Sequence, residues 1–243
     1  ISASLVGSEM CIRDRVRSIG CVINDIWDKD LDGDVKRTRM RPIPSKRLSI
    51  LESWYIFSIL GVFSLFLLSF TNANTIFVSI LFGLLIILYP LTKRFFIGPQ
   101  LFLGLTFNPT IIVYAISNEL NNPTMIPLYF SLAAMTVAFD SFYGLCDLED
   151  DKKLGINSTP LWWGSKTLLI IATFQLLAIA LLLIVGWKAE LASPWFIGII
   201  LLSIFYFYQH SLAIQKKFFM AFKNNHWASL YLLTLSLFCF VII

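Results

Sequence analysis

Carboxylates dominate the residues of this chain that could do chemistry. Ten of its fifteen acidic residues fall in two short stretches. The first, Asn24 to Asp34, carries Asp25, Asp28, Asp30, Asp32 and Asp34. The second runs from Asp140 through Asp147, Glu149, Asp150 and Asp151. Asn24, Asp28 and Asp32 are four residues apart, so on a helix they share one face. Asp140, Asp147 and Asp151 follow a seven-then-four spacing and share a face too, with Tyr143 on the same side. Like charges at this spacing destabilise an isolated helix. Stacking them twice makes sense where divalent cations sit between them. Oxygen-only donors favour Mg²⁺, Ca²⁺ or Mn²⁺ over zinc. Mg²⁺ commonly takes one or two carboxylates together with substrate phosphates.

Basic residues follow each acidic stretch. Lys36, Arg37, Arg39 and Arg41 come directly after the first, and Lys152 and Lys153 directly after the second. Lys93 and Arg94 stand between them in sequence. Carboxylates, Mg²⁺ and Arg/Lys together make a site for a pyrophosphate group. Asp25, Asp30, Asp34, Glu149 and Asp150 lie off the two faces and read equally well as solvated charge. Lys46, Lys166, Lys216, Lys217 and Lys223 read as topology signals.

The elements that must position these groups are membrane helices. Hydrophobic residues make up 57% of the 243, charged residues 14%, and mean hydropathy is +0.76. A soluble domain carries about 25% charged residues, so soluble, disordered and fibrous classes are excluded. Apolar runs predict an all-α, multi-span bundle with helices at 16–31, 49–70, 75–91, 98–116, 125–147, 166–186, 194–212 and 226–243. Asn108-Pro109 predicts a kink within one span. Trp187, Trp195 and Trp227 fall near span ends, where interfacial aromatics sit. His210 and His226 read as interfacial polar residues.

Loop charge alternates along the chain. One set of loops holds fourteen Lys/Arg and the other only Lys188. The positive-inside rule puts the rich set, and both acidic motifs, in the cytoplasm, with the C-terminus outside. Basic residues confined to short loops speak against nucleic acid as a partner, and no obligate protein partner is expected. Cys11, Cys21, Cys146 and Cys239 are scattered, which indicates free or buried thiols with no disulfide framework or zinc site. With eight spans the N-terminus lies outside, where Arg13, Arg15 and Arg17 are on the wrong side. Two readings resolve this: residues 1–15 are a short external tail, or, as we favour, they are foreign or mis-assembled sequence and 16–243 is one transmembrane domain lacking a first helix upstream.

The motifs carry a family resemblance. Asn24 to Pro42, NDIWDKDLDGDVKRTRMRP, resembles the first aspartate-rich motif of UbiA-type membrane prenyltransferases, NxxxDxxxD with a basic RTxxRP tail. Asp140 to Thr159, DSFYGLCDLEDDKKLGINST, resembles their second, DxxxD followed by KxGxxST. Tyr89-Pro90-Leu91-Thr92-Lys93-Arg94 resembles the YPxxKR loop, and Phe222-Lys223-Asn224-Asn225 is similar to the 4-hydroxybenzoate branch. The resemblance implies nine helices around a central cavity in the complete fold. It also implies an enzyme of ubiquinone biosynthesis in a bacterial inner membrane, or a mitochondrial one in a eukaryote. Polyprenyl diphosphate would donate its prenyl group to the ring of 4-hydroxybenzoate, ortho to the hydroxyl, with Mg²⁺ as cofactor. Asn24, Asp28 and Asp32 would hold one ion and Asp147 and Asp151 a second. Lys36, Arg37, Arg41, Lys93, Arg94 and Lys152 would bind the diphosphate. Asp140, Tyr143 and Arg94 are the catalytic candidates: Asp140 for polarising the phenol or accepting a proton, Arg94 for charge on the leaving group, and the Tyr143 ring, with Trp27 and Phe139, for the allylic cation.

Two other activities use similar residues. Protohaem farnesyltransferases share much of the first motif. A cation transporter also needs intramembrane carboxylates, but here both clusters sit at one membrane face, beside basic loops that repel a cation.

Overall fold

The computed structural model describes residues 20–29, 40–108 and 110–242. The readings on residues 1–15 and on Asp32, Lys36 and Arg37 fall outside the described residues. The described chain is helical and forms two compact units. One comprises the described residues through Thr92 together with Ile111–Leu120; the other comprises Lys93–Thr110 and the residues from Asn121 onward.

In the first unit, α1 is the helical segment 20–29 and α2 is Ile50–Leu68. Ser49 starts α2 with a capping box. Its Oγ accepts from the Glu52 amide at 3.2 Å, while Ser49 N donates back to Glu52 Oε2 at 2.8 Å. Leu51, Ile59, Val62 and Leu65 are each about 60% exposed, as expected of a helix whose solvent is lipid. α3, Ala73–Phe95, begins where Asn72 Oδ1 accepts from the Thr75 amide at 2.8 Å. The Asn72 Nδ2 group donates to the Ile116 carbonyl at 2.8 Å, tying this turn to the end of α5, Thr110–Ser117.

In the second unit, α4 spans Pro99–Thr106, α6 Met125–Leu154, α7 Thr159–Trp163, α8 Thr167–Lys188, α9 Ser193–Ile214 and α10 Phe218–Ile242. A 3₁₀ turn, Gly164–Lys166, joins α7 to α8. One core contains Leu182, Trp195, Ile199, Leu202 and Tyr206, and another Phe142, Ile171, Leu212 and Ala221. α4 approaches α6 closely because residue 104 is glycine. A Cβ there would lie 2.8 Å from the Ala133 carbonyl oxygen and 2.6 Å from a Val137 methyl.

Six helical stretches among the described residues are long and apolar enough to cross a membrane: Ile50–Leu68, Ala73–Phe95, Pro99–Ser117, Met125–Leu154, Thr159–Lys188 and Ser193–Ile214. The chain is therefore an all-α, multi-pass membrane protein, as its composition predicts. Several boundaries differ from the expected ones. The predicted span 98–116 is two helices, α4 and α5. Asn108 stands at the break, where its Oδ1 accepts from the Thr110 amide at 3.0 Å and its Nδ2 donates to the Tyr129 carbonyl at 2.7 Å. Helix α6 runs to Leu154 instead of stopping near 147, and α10 starts at Phe218 instead of 226. Trp195 is also unlike its expectation. It is 5% exposed and donates to the Leu182 carbonyl at 3.0 Å, whereas Trp187 and Trp227 are exposed.

Candidate active site

The extension of α6 decides where the second acidic motif sits. Asp147 and Asp151 belong to the same continuous helix as Asp140 and Tyr143, so the seven-then-four spacing is realised as one helix face. Gly155 closes the helix in a left-handed conformation, φ 67°. Its amide and that of Ile156 both donate to the Asp151 carbonyl, the latter at 3.0 Å. An L side chain at that φ is strained, which accounts for glycine there.

The segment after the helix is pinned in place. The Asn157 amide donates to the Lys93 carbonyl at 3.0 Å, joining the second motif to the end of α3. Gln100, 7% exposed, accepts from the Thr159 amide at 2.8 Å and from its hydroxyl at 3.1 Å. Ser141 and Thr159 hydroxyls lie 3.1 Å apart. These bonds set the Ser158 hydroxyl, 3% exposed, beside the Asp151 carboxyl.

Lys93 is the cation these bonds bring in. Its charge acts on both Asp140 and Asp151, and Asp147 acts on the same two carboxyls. Arg94, its neighbour, is exposed, as are Lys152 and Lys153; Lys153 lies 3.8 Å from Asp150 on the surface. Lys93 is thus a cation of the acidic face. Aromatic rings flank Asp140. Phe222 of α10 lies 4.9 Å, centroid to centroid, from Tyr143 and 6.2 Å from Phe139.

The first motif is described in part, and within its own unit. The Asp28 amide donates to the Asn24 carbonyl at 2.9 Å, which stacks those two side chains on one helical face. Asp28 is 5% exposed and Ile23 and Ile26 beside it are buried. Arg41, expected to meet a diphosphate, pairs with Asp25 at 3.1 Å. Arg41 therefore turns back onto the acidic stretch that precedes it.

Oxygen donors on these faces suit Mg²⁺ by chemistry. Among the described residues no three His, Cys, Asp or Glu side chains form a closed metal cage. Gln100 was not singled out from sequence, and Thr159 and Phe222 were quoted there only as parts of motifs, with no role of their own. The signal available for Gln100 was an amide in an otherwise apolar span. For Phe222 there was none beyond its place in the FKNN segment.

Comparison with known proteins adds to this geometry. The family model described as the UbiA prenyltransferase family matches residues 11–230. The 4-hydroxybenzoate octaprenyltransferase of Alcanivorax borkumensis is 40% identical over 218 residues, covering 88% of this chain and 75% of that protein. The enzyme of the same name from Francisella tularensis subsp. tularensis is 36% identical over 233 residues, covering 93% and 80%. Among solved structures, the apo form of a UbiA homolog from Aeropyrum pernix K1 superposes with a TM-score of 0.87 at 19% identity, covering 98% of this chain and 90% of that one. A UbiA homolog from Archaeoglobus fulgidus bound to GPP and Mg²⁺ gives 0.71 at 18% identity, covering 97% and 89%. At such identities these two structures speak to the fold.

Proposed function

This chain belongs to the UbiA prenyltransferase family, and we propose that it transfers a polyprenyl group from polyprenyl diphosphate to 4-hydroxybenzoate, ortho to the hydroxyl, in ubiquinone biosynthesis. The observation that carries this reading is the α6 face of Asp140, Tyr143, Asp147 and Asp151 with Lys93 drawn onto it, in a chain 40% identical to a 4-hydroxybenzoate octaprenyltransferase. We further propose a bacterial inner membrane as its location, with both acidic motifs at the cytoplasmic face.

The reaction begins when the allylic C–O bond breaks and its electron pair leaves with the diphosphate. Lys93 stabilises charge on the departing oxygen, where a fixed cation in a water-poor site is worth far more than in bulk water. Asp147 and Asp151 would hold Mg²⁺ beside it, and Asn24, Asp28 and Asp32 would hold a second ion; when bound, the metal makes the diphosphate a better leaving group. Support for Mg²⁺ comes from the donor chemistry and from the Archaeoglobus relative. Arg41, Lys36, Arg37, Arg94 and Lys152 would supply further positive charge to the diphosphate. The faces of Tyr143 and Phe139 meet the allylic cation. The ring carbon ortho to the phenol attacks that cation, forms the C–C bond, and then loses its proton. Asp140, between those two rings in sequence, polarises the phenol by accepting its proton, directly or through water, and the oxygen regains a proton as the ring proton leaves, so that one proton is released overall. Octaprenyl is the chain length of the named relatives.

The test is an acceptor comparison. Membranes containing the chain are given Mg²⁺, labelled polyprenyl diphosphate and either 4-hydroxybenzoate or protohaem. Labelled prenylated acid with the first acceptor is the expected result. Label transferred only to protohaem would replace the acceptor in this reading, and label in neither would remove it.

A further inference from the structure

Four polar side chains form an unbroken line of hydrogen bonds through α8, α9 and α10. His210 Nε2 donates to Gln175 Oε1 at 2.9 Å, and Gln175 Nε2 to Gln209 Oε1 at 2.6 Å. Gln209 Nε2 donates to Asn225 Oδ1 at 2.9 Å, and Asn225 Nδ2 to the Phe222 carbonyl at 2.8 Å. An amide oxygen only accepts, so His210 carries its proton on Nε2. Every bond runs in the same direction, and such bonds polarise one another. Gln209 is fully buried and Gln175 is 2% exposed, both within membrane spans. Amides in that setting are costly unless paired, and leucine or methionine would fill the volume without that requirement. Packing alone does not explain them.

Both ends of the line meet one turn of α6. At one end the His210 ring packs edge-on against Phe142, 5.6 Å between centroids. At the other, Phe222 lies against Tyr143 and Phe139. Those three α6 residues surround Asp140 in sequence. Phe142 is fully buried, whereas Tyr143 and Phe222 are half-buried.

We propose that Phe222 is a wall residue of the reaction site that keeps water from the allylic cation, and that Gln175, Gln209, His210 and Asn225 are positioning residues that hold it against Tyr143. The inference rests on the prenyl-transfer reading above. After the C–O bond ionises, two nucleophiles compete for the cation. The acceptor ring carbon forms a C–C bond and loses a proton, giving prenylated acid. Water forms a C–O bond and loses a proton, giving prenyl alcohol. The ratio of alcohol to prenylated acid therefore reads water exclusion directly and is independent of how much enzyme is folded.

The experiment measures that ratio from labelled polyprenyl diphosphate, Mg²⁺ and 4-hydroxybenzoate with membranes of the full chain. Phe222→Leu removes the ring, and Gln209→Leu cuts the line two bonds away from it. Both are expected to raise the ratio about tenfold, on the scale of a small misplacement at a reacting centre. Phe222→Trp keeps an aromatic face and is expected to stay near the wild-type ratio. Asn225→Leu cuts the line at another bond and stands in if Gln209→Leu fails to insert. Leucine variants that lose yield while keeping the wild-type ratio would reduce the line to a scaffold and overturn the proposal. Absence of both products from the wild type would overturn the underlying prenyl-transfer reading, a result distinct from the first.

Discussion

Lys93 stands where two segments of the site are joined, its carbonyl bonded to Asn157 and its charge acting on Asp140 and Asp151. Truncation to alanine would remove that positive charge from Asp140 and Asp151. Lys93→Ala is expected to lower kcat/KM for prenyl diphosphate by about 30-fold or more, since removing one partner of a desolvated charge pair costs about 2–5 kcal/mol. Steady-state assays at equal membrane content check this; an unchanged kcat/KM would remove Lys93 from the site. The acidic spacing was legible in sequence because a helix face repeats at fixed intervals, and Asp140, Asp147 and Asp151 needed only that rule. Gln100 was not singled out, and Thr159 entered only as the last residue of a motif. A lone amide in an apolar run has no period, and its partner lies 59 positions away.

Helix boundaries were legible where chemistry marks them and not where hydropathy does. Ser49 with Glu52 signals a start, and α2 begins at the next residue, Ile50, one position from the expected 49. Asn108-Pro109 signalled a kink, and α4 ends at Thr106, with Asn108 bonded to the Thr110 amide at the start of α5. The ends of α6 and α10 were missed by seven or eight residues for one reason. An apolar run stops at the membrane surface, while the helix continues into the charged layer with Asp147 to Lys153 on α6 and Lys223 to Asn225 on α10. That continuation is what gives the acidic face its geometry. Two glycines test it. Gly104→Ala forces a methyl against the Ala133 carbonyl and is expected to destabilise the chain by about 1–3 kcal/mol, the range for overpacking. Gly155→Ala puts a side chain at φ 67° and is expected to cost about 1 kcal/mol. Thermal unfolding in detergent reads both, and a melting temperature unchanged in either variant would contradict the corresponding contact or strain.

At the scale of the molecule, the membrane class followed from composition, and the family from two motifs in order. Fourteen Lys/Arg in one set of loops against one in the other place the motifs in the cytoplasm under the orientation proposed above. In a background with the native thiols replaced, a cysteine at Lys153 is expected to react with a membrane-impermeant reagent only after permeabilisation, and one at Asn121 from outside. The reverse pattern would invert the orientation. The account's central claim is that the acidic face of α6 supports prenyl transfer to 4-hydroxybenzoate. The most direct measurement compares labelled prenylated acid from wild-type and Asp147→Ala membranes, with equal amounts of inserted protein and saturating Mg²⁺. Product from the wild type and a loss of at least about 100-fold in the variant are the expected result, on the scale of removing a group that stabilises transition-state charge. No product from the wild type, or equal product from both, would contradict the claim.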